Sequence, residues 1–122
     1  MSDIKTLSSL VLGKAYVAQS DFRTVHHAVT GEPIYQVSSA GIDTKKVVEY
    51  AKEYGSALAN WTFHQRANAL KLVAQYLLQR KEDFYALATA TGATRKDAWV
   101  DVEGGIGTLF AYSSLVRREL SD

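Results

Sequence analysis

The chain has 122 residues with 47% hydrophobic, 11% aromatic and 22% charged side chains, enough apolar content for a packed core and too little charge bias for disorder. Fourteen basic residues face thirteen acidic ones, a net charge of +1, so there is no basic footprint for nucleic acid. The sequence contains no cysteine, which excludes disulfides, thiolate nucleophiles and cysteine-ligated zinc within it.

Asp3 and the short, serine-broken run Leu7–Leu12 do not make a signal peptide, and no window approaches the roughly 18 apolar residues of a membrane helix. The expectation is a soluble, cytoplasmic chain with no membrane and no nucleic-acid partner. Leu10-Val11-Leu12 and Ala15-Tyr16-Val17 flank Gly13-Lys14, the pattern of a hairpin with a two-residue turn. Phe22–His27 and Ile34–Val37 form a second pair of strand-like runs. Thr30-Gly31-Glu32-Pro33 supplies the turn between them, with Pro33 at a strand start where its missing donor does least harm. Two small hairpins, or one meander, are predicted over residues 1–40.

From residue 41 to 122 the periodicity is helical. Asp43 is placed to cap a helix carrying Val47, Ala51, Tyr54 and Leu58, with Gly55 loosening or ending its last turn. Thr62 and Gln65 have capping-box spacing, and the helix they open carries Ala67, Leu70, Val73, Ala74, Leu77 and Leu78 on one stripe. Glu82–Thr91 forms a third helix with Phe84, Leu87 and Ala88 together, stopped at Gly92. The stretch Thr91–Leu120 reads as one long amphipathic helix, opened by Thr94 with Asp97 three residues on. Its stripe is Ala98, Val102, Ile106, Leu109, Ser113, Val116 and Leu120. The fold class expected is α/β, mixed α+β over this length: hairpins followed by about four helices.

Candidate chemistry is sparse. Gly104-Gly105-Ile106-Gly107 invites a phosphate-loop reading, but such a loop belongs between a strand and a helix, whereas here the helical stripe runs straight through. Three glycines inside a helix cost together about 2–3 kcal/mol relative to alanine. Close approach of another backbone, or a kink, is the expected offset. His26 and His27 are neighbours and point to opposite faces of a strand, so they cannot share a metal. His64 has no acidic or histidine partner one turn on. Asp97 and Asp101 lie one turn apart, with Glu103 beside them, and a solvated or salt-bridged face is the simpler reading. The basic pairs Arg80-Lys81, Arg95-Lys96 and Arg117-Arg118 read as solvated helix ends. The aromatics Trp61, Phe63, Phe84, Tyr85, Trp99, Phe110 and Tyr112 are assigned to packing.

Several blocks stand in an order that resembles the amino-terminal part of the aldehyde dehydrogenase superfamily. They are Ala28-Val29-Thr30-Gly31-Glu32, the helix after Gly41-Ile42-Asp43, Trp61, Arg66-Ala67-Asn68-Ala69-Leu70, Glu82-Asp83-Phe84 and Thr91-Gly92. The segments TFHQRANALK, LLQRKEDFYALATATGATRKDAWVD and GGIGTLFAYSSL followed by RREL are similar to one branch of it, the bifunctional ring-opening dehydrogenases of bacterial phenylacetate degradation. The semialdehyde dehydrogenases of benzoyl-CoA epoxidation are a close second.

The resemblance implies an NADP-dependent oxidation of a semialdehyde. In that chemistry a cysteine attacks the carbonyl, the adduct gives hydride to the nicotinamide, and water releases the acid. In the family the cofactor-binding sheet, its lysine and glycines, the glutamate base and the cysteine all come later than the region matched here. No catalytic, cofactor-binding or metal residue is therefore assigned to this sequence, and no cofactor is expected to bind it. Many members hold a monovalent cation with carbonyls that would fall near Val25 and His26 and with an aspartate whose place is taken by Ala90, so that site is not expected. The expectation is one partial dehydrogenase domain over 1–122, inactive alone, that self-associates or packs on the remainder of a dehydrogenase. The alternative is a non-catalytic helical interaction or assembly module.

Overall fold

The computed structural model describes residues 4–122, and they divide into two compact units, one up to residue 57 and one over residues 58–122. The first unit holds β1 (Lys5–Thr6), β2 (Ser9–Val11), β3 (Lys14–Tyr16), β4 (Arg23–His26), β5 (Pro33–Val37) and α1 (Thr44–Gly55). The second holds α2 (Phe63–Gln79), α3 (Lys81–Ala90) and α4 (Arg95–Glu119). Helices with small sheets make the mixed α+β architecture that the periodicities predict. Among the described residues no helix is long and apolar enough to cross a membrane.

Two hairpins form, with one correction to the first. Val11 pairs with Lys14, so the turn is Leu12-Gly13 and Lys14 belongs to the strand. Leu12 and Gly13 have φ of 54° and 74°, the primed geometry that matches strand twist and needs positive φ at both loop positions. Gly13 takes the second of these positions, where glycine is at home, and that pushes the turn one residue earlier than the sequence suggests. Gly13 also lies under the Tyr50 hydroxyl of α1, which would stand 2.6 Å from a Cβ there.

The second hairpin pairs β4 with β5 antiparallel, with an irregularity between Val25 and His26. Its connection is organised by His27. The ring Nδ1 accepts from the amides of Val29 and Thr30 at 3.2 and 3.3 Å, and the backbone exchanges bonds with Gly31 and Glu32. No periodicity marks β1, which adds in parallel to β5 as Lys5 pairs with Tyr35 and Thr6 with Gln36. Two residues are too short to show a period. The Gln36 amide donating to the Thr6 hydroxyl at 2.6 Å helps to hold them. Sheet order is β1-β5-β4, with β2-β3 separate.

Asp43 caps α1, its carboxylate accepting from the Lys46 amide at 3.2 Å, and the helix ends at Gly55 as expected. Its expected stripe is only partly covered: Val47 is half-buried, but Ala51, Tyr54 and Leu58 are exposed. Tyr50, one turn on from Val47, is the second half-buried residue of the helix.

In the second unit the capping box of Thr62 and Gln65 forms in both directions, at 3.2 and 2.9 Å. Ala67 and Ala74 of α2 and Ala98, Ile106 and Ser113 of α4 are the buried residues of the long helices. The two helices pack antiparallel: the Ser113 hydroxyl donates to the Ala67 carbonyl at one end, and Lys81, just past α2, meets Glu103 further back along α4. Alanines on α2 let the backbones approach closely enough for a serine to reach across. In α3 the expected stripe is corrected. Tyr85 is the buried residue, while Phe84 and Leu87 stay 37% and 53% exposed. The long last helix starts at Arg95, after a turn at Gly92 with φ of 86°.

Candidate functional site

The densest set of polar and ionisable groups in the helical unit lies where the start of α3 meets the first half of α4. Glu82 sits in the first turn of α3, and Thr94 caps α4, its hydroxyl accepting from the Asp97 amide at 3.2 Å while donating to the Asp97 carboxylate at 2.7 Å. That cap aims Arg95 back at α3. Its Nη2 donates to both oxygens of Glu82, at 3.0 and 3.1 Å, and the guanidinium lies 4.3 Å from the centre of the Tyr85 ring. Two turns along α4, Glu103 accepts from Lys81 Nζ at 2.7 Å.

The directions of the protonation shifts agree with a structural role. Lys81 holds the Glu103 carboxyl below its usual value, helped by hydrogen bonds from Trp99 and Tyr85 and opposed by partial burial. The Lys81 amine is raised by the same carboxylate. Burial raises the Tyr85 hydroxyl, and the negative charge of Glu103 adds to that. Each shift favours the form already present at neutral pH. A general base needs a raised carboxyl and a nucleophilic amine needs a lowered one, so this cluster is tuned away from proton transfer. It is a clamp between α3 and α4.

The remaining candidates resolve the same way. Asp97 is spent in the α4 cap and Glu103 in the clamp, while Asp101 is exposed. They are a cap and a salt bridge, not an acid–base pair. His27 organises its turn, and His64 bonds through Nε2 to the Leu120 carbonyl at 2.9 Å. Among the described residues there is no group of three or more histidine, aspartate or glutamate side chains able to hold a metal. Ala90 ends α3 and has no side-chain oxygen where the family carries an aspartate. A groove of about 470 Å³ between α2 and α4 is lined by Lys71, Phe110, Ser113, Ser114, Arg117 and Arg118, but the Ser113 hydroxyl is already spent on Ala67.

Gly104, Gly105 and Gly107 lie inside unbroken α4, where the amides are tied into the helix and a further side chain donates inward, Thr108 Oγ1 to the Gly104 carbonyl at 3.0 Å. These residues do not fit a dinucleotide phosphate. The expected close approach of another backbone is not found within the described residues either: a Cβ on any of the three meets nothing within 4 Å.

Relationship carries the functional information. Residues 16–122 match the aldehyde dehydrogenase family. The chain belongs to that family. The 3,4-dehydroadipyl-CoA semialdehyde dehydrogenase of Aromatoleum evansii is 32% identical to this chain over 109 residues, covering 88% of the chain and 21% of that enzyme. The chain spans about a fifth of the length of the relative it matches.

The pairings that sequence reasoning missed are Lys81–Glu103 and Arg95–Glu82. Both basic residues read as solvated helix ends because their partners lie 22 and 13 residues away, beyond any local acid.

Proposed function

We propose that this chain forms part of an NADP-dependent semialdehyde dehydrogenase of aromatic-acid catabolism, with a CoA-linked semialdehyde as substrate. In this reading it provides a packing layer for the catalytic polypeptide and performs no chemistry alone. The observation that carries the reading is the similarity to a CoA-semialdehyde dehydrogenase along almost the whole chain, at about a fifth of that enzyme's length. The exposed apolar side chains of the helical unit support it. Leu72, Val73 and Tyr76 of α2, Leu87 of α3, and Trp99, Val100 and Tyr112 of α4 are each at least half exposed. A set of that size suits burial against further protein. Hydride transfer would need a thiol to form the carbonyl adduct, and the sequence has no cysteine.

The test is complementation. A polypeptide carrying the later dehydrogenase segments, including its cysteine, is co-expressed with and without this chain and supplied with NADP and a CoA-linked semialdehyde. NADPH formation only when both are present is the expected result, with none from this chain alone. Turnover by this chain alone overturns the inactivity, and no gain on co-expression overturns the packing role.

A further inference from the structure

The antiparallel packing of α2 and α4 brings the start of one helix to the end of the other, and the residues after α4 make use of it. A helix leaves its first amides without internal partners. At the start of α2 the capping box satisfies Thr62 and Gln65. The His64 amide is taken by Asp122, whose Oδ1 accepts it at 3.0 Å from 58 residues away. In return, His64 Nε2 stands 2.9 Å from the Leu120 carbonyl, an acceptor at the far end of α4 that α4 itself leaves unused. A carbonyl only accepts, so Nε2 carries the proton. Leu120 is extended, with φ −111° and ψ 136°, and that turns the chain back toward α2 while its own amide still bonds to Val116.

We infer that Leu120–Asp122 act as a strap that caps α2 from outside and couples the opening of its first turn to the fraying of the last turn of α4. Both bonds are donated by His64, its amide to the Asp122 carboxylate and its ring to the Leu120 carbonyl, so one residue of α2 ties its own first turn to the end of α4 and neither helix end opens without disturbing the other. The charges suit it: the carboxylate sits at the positive end of the α2 dipole. The Thr62 hydroxyl and the His64 amide hold that carboxyl below its usual value.

Amide hydrogen exchange of the full chain, wild type against Asp122→Ala, tests the coupling. The variant removes the oxygen that accepts from the His64 amide. The amides of His64 and Leu120 are expected to speed up together, by about five- to tenfold, while the Gln65 amide, held by the Thr62 hydroxyl, changes less than about twofold. Unchanged exchange at His64 overturns the strap, as does a His64 amide already unprotected in the wild type. A rise at His64 with none at Leu120 overturns the coupling. His64→Ala provides the second arm, with faster Leu120 exchange expected and no change overturning the ring's part.

Discussion

Replacing Ile106 with alanine is expected to destabilise the helical unit far more than the same truncation of a leucine on its outer face. Ile106 is 6% exposed and, with Tyr85, one of the two large buried apolar side chains among the described residues of the unit. The carbons lost beyond Cβ are worth about 2.4 kcal/mol at about 0.8 kcal/mol each. A residual cavity adds to this, and measured isoleucine-to-alanine costs in cores run to about 2–5 kcal/mol. The neighbours opposite are small, Ala67 and Ala74, and Leu70 and Leu77 beside them are only half-buried, so the site is able to collapse in part. About 2–3 kcal/mol is the expected loss. Leu72 is 57% exposed, and Leu72→Ala is expected to cost less than about 1 kcal/mol. Urea unfolding followed by helical circular dichroism, at low protein concentration, measures both. Equal losses, or a larger one for Leu72, refute the reasoning, because the α2 outer face would then be covered in solution and the α4 stripe would not be the core.

Two further perturbations probe the site and the glycines. Glu103 is depressed below 4.5, so its share of the clamp is present above the ordinary carboxylate value and fades as pH falls through the depressed one. Lys81 is raised above 10.5, so its share is present below that value and is lost as pH rises through the elevated one. The difference in urea midpoint between wild type and Glu103→Gln is therefore expected to be widest between about pH 5 and 10 and to vanish on both sides; a difference that does not change with pH contradicts the clamp. Gly105→Ala is expected to raise the melting stability of the chain by about 1 kcal/mol, because the added Cβ meets nothing within 4 Å and glycine is the poorer helix former. A loss in thermal denaturation means that something already packs on that face.

The elements most legible in the sequence are those whose signal is local. Asp43, Thr62 with Gln65, and Thr94 each cap the helix they were expected to open, because a cap needs only a side-chain oxygen and an amide three residues on. The buried stripe of α4 was readable for a different reason: neighbours cover it along its length, α3 at its start and α2 over the rest, so period and burial coincide at Ala98, Ile106 and Ser113. Where covering is partial, period misleads. Val73 and Leu78 fall on the α2 stripe yet are 50% and 41% exposed, and Tyr85 is buried where Phe84 and Leu87 were expected. The turn at Leu12-Gly13 slipped by one because primed turns are set by backbone φ, which a leucine conceals.

The site was hard to read because its bonds are long in sequence and its chemistry is quiet. Lys81 and Glu103 satisfy each other, and a pair that stabilises both charges leaves no reactive signature in a motif. The glycines carry the opposite lesson. At helical spacing Val100, Gly104, Gly107, Thr108, Ala111 and Leu115 share one exposed face of α4, with small residues in the middle and large apolar ones at each end. Within this chain the glycines on and beside that face weaken the helix by about 2–3 kcal/mol with no packing to offset it. A face that is costly in the isolated helix and flat enough for close approach is intelligible as half of a contact, the same relation in which Ala67 already stands to Ser113 on the opposite side. If the helical unit packs on a catalytic polypeptide as proposed, Gly104→Ala is a two-sided test: stabilising in this chain alone, where the added Cβ meets nothing within 4 Å, and damaging once that polypeptide is docked.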